Sequence, residues 1–334
     1  MSTIKTTVKV RNNQSMRRAL YRAFHVAAFL LVTGVPALAH GGKPHNWRDL
    51  THAWSFEPLV VLTLILSGAL FWVGLVNLRR AAPQQKTTTT LEVWCFVGGW
   101  LSLFIALISP LHAWGRVLFS AHMTQHEVLM LIAAPLLVLS RPLVPFMWAL
   151  PLNLSRRTGY LGKLTVVQKT WRTLTIPFVA WLVHAIALWS WHMPVLFEAV
   201  LQNEWVHTAQ HLSFLLSALL FWWALIHGPH GLMGYGAAVL YVFTTSIHSG
   251  VLGALITFAG SLWYPSYMGL TASWGMTPLE DQQLGGLIMW IPAGLVYVIA
   301  GLALFVGWMR ESEMRMAKHK PGDEFPINAS MNRV

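Results

Sequence analysis

Two histidine pairs, His122 with His126 in HMTQH and His207 with His211 in HTAQH, are the residues of this chain best spaced to do chemistry. On a helix, residues four apart lie on one face, so each pair can turn two imidazoles toward one ion. In both motifs a glutamine, Gln125 or Gln210, stands just before the second histidine, and Met130 extends the first stripe by one more turn. Neutral imidazole suits copper, zinc and iron, and a thioether beneath it shifts the choice toward copper(I). One histidine in an apolar segment reads as a hydrogen-bonded packing residue; it is the recurrence of the pair that points to ligation. The single cysteine, Cys95, excludes an internal disulfide and any Cys-x-x-Cys motif, and with them the thiolate sites common for structural zinc.

The elements that must carry these residues are membrane helices. With 55% hydrophobic and 10% charged residues among 334, the chain is too apolar for a soluble domain. A bilayer core about 30 Å thick takes roughly 20 apolar residues per helix. Seven stretches qualify: Phe56 to Leu78, Leu91 to Leu111, Leu118 to Leu139, Leu174 to Met193, Val206 to Ile226, Tyr235 to Phe258 and Leu284 to Trp308. The expected fold is therefore all-α, a polytopic membrane bundle of seven transmembrane helices after an N-terminal segment. Residues 1–39 read as a signal peptide ending in Ala-Leu-Ala or as an uncleaved anchor. Residues 40–55 are a histidine-containing periplasmic segment (His40, His45, His52), 56–308 the seven-helix domain, and 309–334 a cytoplasmic tail.

A net charge of +11 could suggest nucleic acid, but its distribution argues otherwise. With the N-terminus in the cytoplasm, 20 of the 23 Lys and Arg fall on cytoplasmic segments, leaving Lys43, Arg48 and Arg116 outside. This is a topology signal, and it excludes a nucleic-acid partner as the reason for the charge. No phosphate-binding glycine loop or nucleophile motif is present, so hydrolase and kinase readings have no basis.

Topology sorts the histidines by depth. His112, His122, His192 and His207 lie at the outer helix ends, with His126 and His211 one turn lower. Met130, His184 and His248 come about 12–15 Å down at 1.5 Å per residue. Ionisable residues at that depth are functional suspects. Met193 follows His192, and Asp281 heads the last span. The outer halves of spans three to six, with Asp281, form the expected metal cavity: His122, His126, Met130, His184, His192, Met193, His207, His211, His248 and Asp281. Two further expectations concern the loops. The basic segment 153–172 reads as a cytoplasmic anchor loop, and SLWYPSYMGLTASWGMTPLEDQQ as an aromatic loop lying on the outer surface.

Four motifs in fixed order, HMTQH, WHMP (Trp191 to Pro194), HTAQH and DQQLGGLIMW (Asp281 to Trp290), closely resemble the CtaG family of cytochrome c oxidase assembly proteins, in the branch associated with caa-type oxidases. The resemblance runs from about Trp54 to Trp308. It implies a seven-span protein of the bacterial inner membrane, needed to form active haem-copper oxidase through that enzyme's copper centres. The implied partners are oxidase subunits and periplasmic copper chaperones, besides the lipid bilayer. Glu127 departs from the pattern, which continues with an apolar residue there. The leading expectation is a non-enzymatic assembly factor whose cofactor or cargo is copper. Three alternatives stay open: a membrane di-metal oxidoreductase, a haem-binding electron carrier with His184 and His248 on one haem, and a copper transporter.

Overall fold

The computed structural model describes residues 53–81, 88–228 and 234–318, and these are helical with no strand among them. The expected signal or anchor segment, His40, His45 and His52, and the tail beyond residue 318 lie outside the described residues. In chain order the helices are α1 (Pro58–Ala81), α2 (Thr90–Leu107), α3 (Pro110–Trp114), α4 (Phe119–Glu127), α5 (Ala134–Leu139), α6 (Leu143–Ala149), α7 (Leu152–Leu161), α8 (Thr165–Leu174), α9 (Pro177–Trp191), α10 (Pro194–Gln202), α11 (Glu204–His227), α12 (Tyr235–Thr257) and α13 (Pro278–Lys318). Among the described residues, six helical stretches are long and apolar enough to cross a membrane, and a seventh arises if α8 and α9, bent by 71° at their junction, are taken as one span.

Local chemistry sets the helix starts. Thr89 and Glu92 form a reciprocal capping box at α2, Ser109 caps α3 with Pro110 at its first position, and Asn203 accepts from the N–H groups of Trp205 and Val206 at α11. These contacts satisfy backbone donors that a helix leaves orphaned. The helix α4 is prolonged by a π turn, Val128–Ala133, before α5 resumes the α form. Pro135 explains the interruption, since its ring cannot sit in a regular α turn and it has no N–H to donate. In the π register Ala134 N–H reaches Leu129 O, and the next donor would be Pro135. The Met130 carbonyl that Pro135 cannot serve accepts instead from the Trp222 indole at 2.9 Å.

Burial identifies the centre of the bundle. In the span 119–139, 61% of the apolar window is buried inside the protein, against 22% for α1 and 17% for α13, so the HMTQH helix is the axis and the other two face lipid on most sides. The core around it contains Met123, Met130, Phe214, Phe221, Trp222, Tyr241 and Tyr297. The last helix is held close by small residues: a Cβ at Gly286 would stand 2.6 Å from Thr257 N and 2.8 Å from Gly253 O, so α12 and α13 touch backbone to backbone there.

Three stretches differ from the sequence expectation. The basic loop over 153–172 is two short helices, α7 and α8, with no buried residue. Exposed Leu152, Val166 and Trp171 share them with Arg156, Arg157 and Lys169, the composition of helices lying at a membrane interface. The outer loop after Met193 is the helix α10, started by Pro194 and packed through Phe197 and Val200. The aromatic loop before α13 is no surface cover, because Tyr264 and Tyr267 are fully buried in the bundle.

Candidate metal centre

The HMTQH helix has no capping side chain of its own: Leu118 stands at its N-cap and makes no side-chain bond. Asp281, 162 residues away at the head of α13, does this instead. Its carboxylate accepts from Phe119 N–H at 2.5 Å, Ser120 N–H at 3.1 Å and the Ser120 hydroxyl at 2.5 Å. A negative group at a helix N-terminus also meets the positive end of the helix dipole. Asp281 thus has a role in this structure as the cap that fixes where α4 begins, with both oxygens engaged in it.

From that fixed start, α4 presents His122 and His126, and α11 presents His207 and His211 across from them. Donor nitrogens of His122, His207 and His211 all lie within 4.8 Å of one another, and the three residues are buried. The imidazole of His126 packs against those of His122 and His211, with ring centres 4.4 and 5.4 Å away. His112, on α3, stacks on His207 at 5.3 Å. His192, at the end of α9, stands 6.1 Å from His126. Six imidazoles from four segments of chain therefore converge at one end of the bundle, as the helical spacing implied.

Hydrogen bonds decide which nitrogens face inward. His122 Nδ1 is 3.3 Å from Gly115 O and His192 Nδ1 is 2.6 Å from Leu188 O. A carbonyl only accepts, so both Nδ1 atoms carry hydrogen and both Nε2 atoms keep a lone pair, the arrangement found in metal-bound histidines whose other nitrogen is held by a backbone oxygen. Buried atoms without a partner gather here: both nitrogens of His126, Nε2 of His192, His207 and His211, and Nε2 of Gln210. Buried polar atoms are normally paired, so such a concentration makes this end of the bundle the candidate ligand site.

The two glutamines act on neighbouring rings. Gln125 donates to Ala106 O at 2.6 Å and, through the same nitrogen, contacts His112 Nδ1 at 3.0 Å. His112 Nδ1 is therefore an acceptor, and its hydrogen sits on Nε2, 3.3 Å from Glu57 Oε1. Gln210 Oε1 lies 3.2 Å from His122 Nε2; with Nδ1 holding the hydrogen, the amide is better turned so that its unpartnered nitrogen donates. The repeated Gln-His dipeptide carried this signal in the sequence. Glu57, by contrast, was not marked by any motif.

Other expected residues stand apart. Met193 is 57% exposed, outside the buried group. Met130 is buried a turn deeper, in the core with Phe214 and Trp222. His184 pairs through Nδ1 with Ser217 Oγ at 3.1 Å, and His248 packs edge-on to Trp181 at 5.4 Å with neither nitrogen bonded. These two form a deeper group outside the converging six. A cavity of about 780 Å³ opens at the far end of α11, between Trp222, Leu225, Ala238 and Trp308, away from the histidines.

The loop before α13 packs onto the same end of the bundle. The Tyr264 hydroxyl donates to His192 O and that of Tyr267 to Gly115 O, each at 2.9 Å, and Tyr264 stacks on Phe119 at 4.8 Å. Burial raises the Tyr267 hydroxyl well above its ordinary range, so it stays a donor. Gly115 O is shared by Tyr267 and His122, which ties the loop to a site imidazole.

Against known proteins, the profile of the cytochrome c oxidase caa3 assembly factor family matches residues 69–311. Uncharacterized proteins of Mycobacterium leprae and Mycobacterium bovis are 26% identical over 276 and 279 residues, covering 80% of this chain and 41% of each relative. The chain thus spans about two fifths of the length of these relatives. No solved structure matches it.

Proposed function

The chain belongs to the cytochrome c oxidase caa3 assembly factor family, and we propose that within this role it holds copper in the histidine group and passes it to a haem-copper oxidase without catalysing a reaction. The observation that carries the reading is the triad His122, His207 and His211, buried with donor nitrogens within 4.8 Å of one another. His126 stands beside it as a fourth donor.

The residues fit copper. All four donors are imidazoles, with no thiolate and no carboxylate among them, and such a set accommodates copper(I) with three or four nitrogens. The backbone bond of His122 fixes its ring and leaves a lone pair on the inner nitrogen, which the Gln210 amide contacts at 3.2 Å and would yield to an arriving ion. Zinc has the same ligand preference, and it is the family's association with an oxidase whose centres contain copper that favours the latter. Orientation supports delivery at the periplasmic face. The imidazoles lie at one end of the bundle, and Arg79, Arg80, Arg141 and the basic helices α7 and α8 lie at the opposite helix ends, the cytoplasmic side by the positive-inside rule. The partners proposed are oxidase subunits and the copper chaperones that supply them.

The test is copper per chain in purified full-length protein, before and after His122→Ala combined with His211→Ala. The expected result is bound copper in the parent and its loss in the variant, with lowered copper in oxidase from cells carrying the variant. Equal copper in both proteins refutes the site.

A further inference from the structure

Every donor of the histidine triad is an imidazole, so it has no carboxylate of its own to draw a cation from solution. Carboxylates at the same end could. Asp281 is engaged on α4, Glu280 on Thr277, and Glu198 on the Ser266 hydroxyl and N–H. Glu57 and Glu204 are different, for they contact imidazoles of the group itself. His112 Nε2 lies 3.3 Å from Glu57 Oε1, and His207 Nδ1 lies 4.0 Å from Glu204 Oε2. Arg116 bridges the two acids, 2.8 Å from Glu204 and 3.8 Å from Glu57. The side chains of Glu57, Glu204 and Arg116 are 29, 64 and 33% exposed, while those of His112 and His207 are 5 and 9% exposed. The five side chains therefore run from water to the buried cluster.

Resting on the copper reading above, we propose that Glu57, Glu204 and His207 form a capture station for transition-metal cations at the mouth of the histidine group, with Arg116 as the resident counter-ion that an arriving cation displaces. Two carboxylates at a low-dielectric mouth concentrate cations and raise their arrival rate. A guanidinium held between them keeps the empty mouth near neutral and leaves when a second positive charge enters, because like charges at that distance repel. His207 belongs to both groups, with Nδ1 toward Glu204 and Nε2 buried and unpartnered, so one imidazole connects capture to storage. His112 holds Glu57 in place through the contact of its Nε2 with Oε1 at 3.3 Å.

The experiment mixes full-length protein in detergent with cupric chloride and follows quenching of tryptophan fluorescence, then measures final copper per chain. Glu57→Gln with Glu204→Gln is expected to load about tenfold more slowly and to lose most of the ionic-strength dependence of loading, with final copper unchanged. Arg116→Gln is expected to load faster than the parent. A rate change in opposite directions for the two variants separates capture from damage to the fold. The proposal is overturned if the double variant loads at the parental rate, or if it loses final copper without a change in rate. Failure of the parent itself to take up copper refutes the function proposed above, and is read from the parent alone.

Discussion

Replacing Asp281 tests whether the metal centre is positioned from a distance. Asp281→Ala removes a carboxylate that accepts three hydrogen bonds from Phe119 and Ser120. Loss of an ordinary helix cap costs about 0.5–2 kcal/mol, and bonds to a charged acceptor are worth about 1.5–3 kcal/mol each. Two backbone N–H groups would remain buried without partners, and the terms do not add fully, so the loss is expected at about 3–5 kcal/mol. The melting temperature of the detergent-solubilised protein should then fall by on the order of 10 °C. Asp281→Asn keeps the shape but sets an amide nitrogen against backbone donors, and should lose more than half of that stability. X-ray absorption on copper-loaded Asp281→Asn is the deciding assay: the copper should keep its nitrogen ligands at the parental distances while affinity falls. If stability is unchanged and an oxygen ligand disappears from the spectrum, Asp281 is a ligand and the capping argument is wrong.

Further outcomes follow from the packing. Trp222→Phe leaves the Met130 carbonyl unserved inside the membrane and should cost about 1–3 kcal/mol, read as a lowered unfolding midpoint. Gly286→Ala forces a Cβ to within 2.6 Å of Thr257 N; a loss of about 1–3 kcal/mol is expected, with Gly294→Ala, which has open space, as the neutral control. Met193→Ala should leave copper per chain unchanged, since this thioether is 57% exposed while the imidazoles are buried. Tyr267→Phe should speed the exchange of bound copper with a soluble chelator, because it unties the loop from the Gly115 carbonyl.

The membrane bundle was legible because apolar length and charge asymmetry are properties of composition. The pairing of His122, His126, His207 and His211 was legible because four-residue spacing fixes a helix face whatever surrounds it. Asp281 was placed at the right end, but its task depends on which helix its neighbour starts, and no spacing within one segment reveals that. Glu57 escaped for the same reason: one acid before a span has no pattern, and its meaning comes from His112 and Arg116, more than fifty residues on. The burial of Tyr264 and Tyr267 was hidden because an aromatic loop has the same composition whether it lies on a membrane or plugs a bundle. The helices α7 and α8 were read as loop because their basic residues dominate, while their apolar sides need an interface to become visible.

The hydrogen bonds from Phe119 and Ser120 to Asp281 have a consequence for biosynthesis. The two partners are separated by most of the membrane domain, so the ribosome must release nearly all of it before the α4 terminus can be closed off. Until the last span has threaded in, the helix that carries His122 and His126 lacks its cap. On the copper reading proposed above, readiness for cargo then coincides with completed insertion.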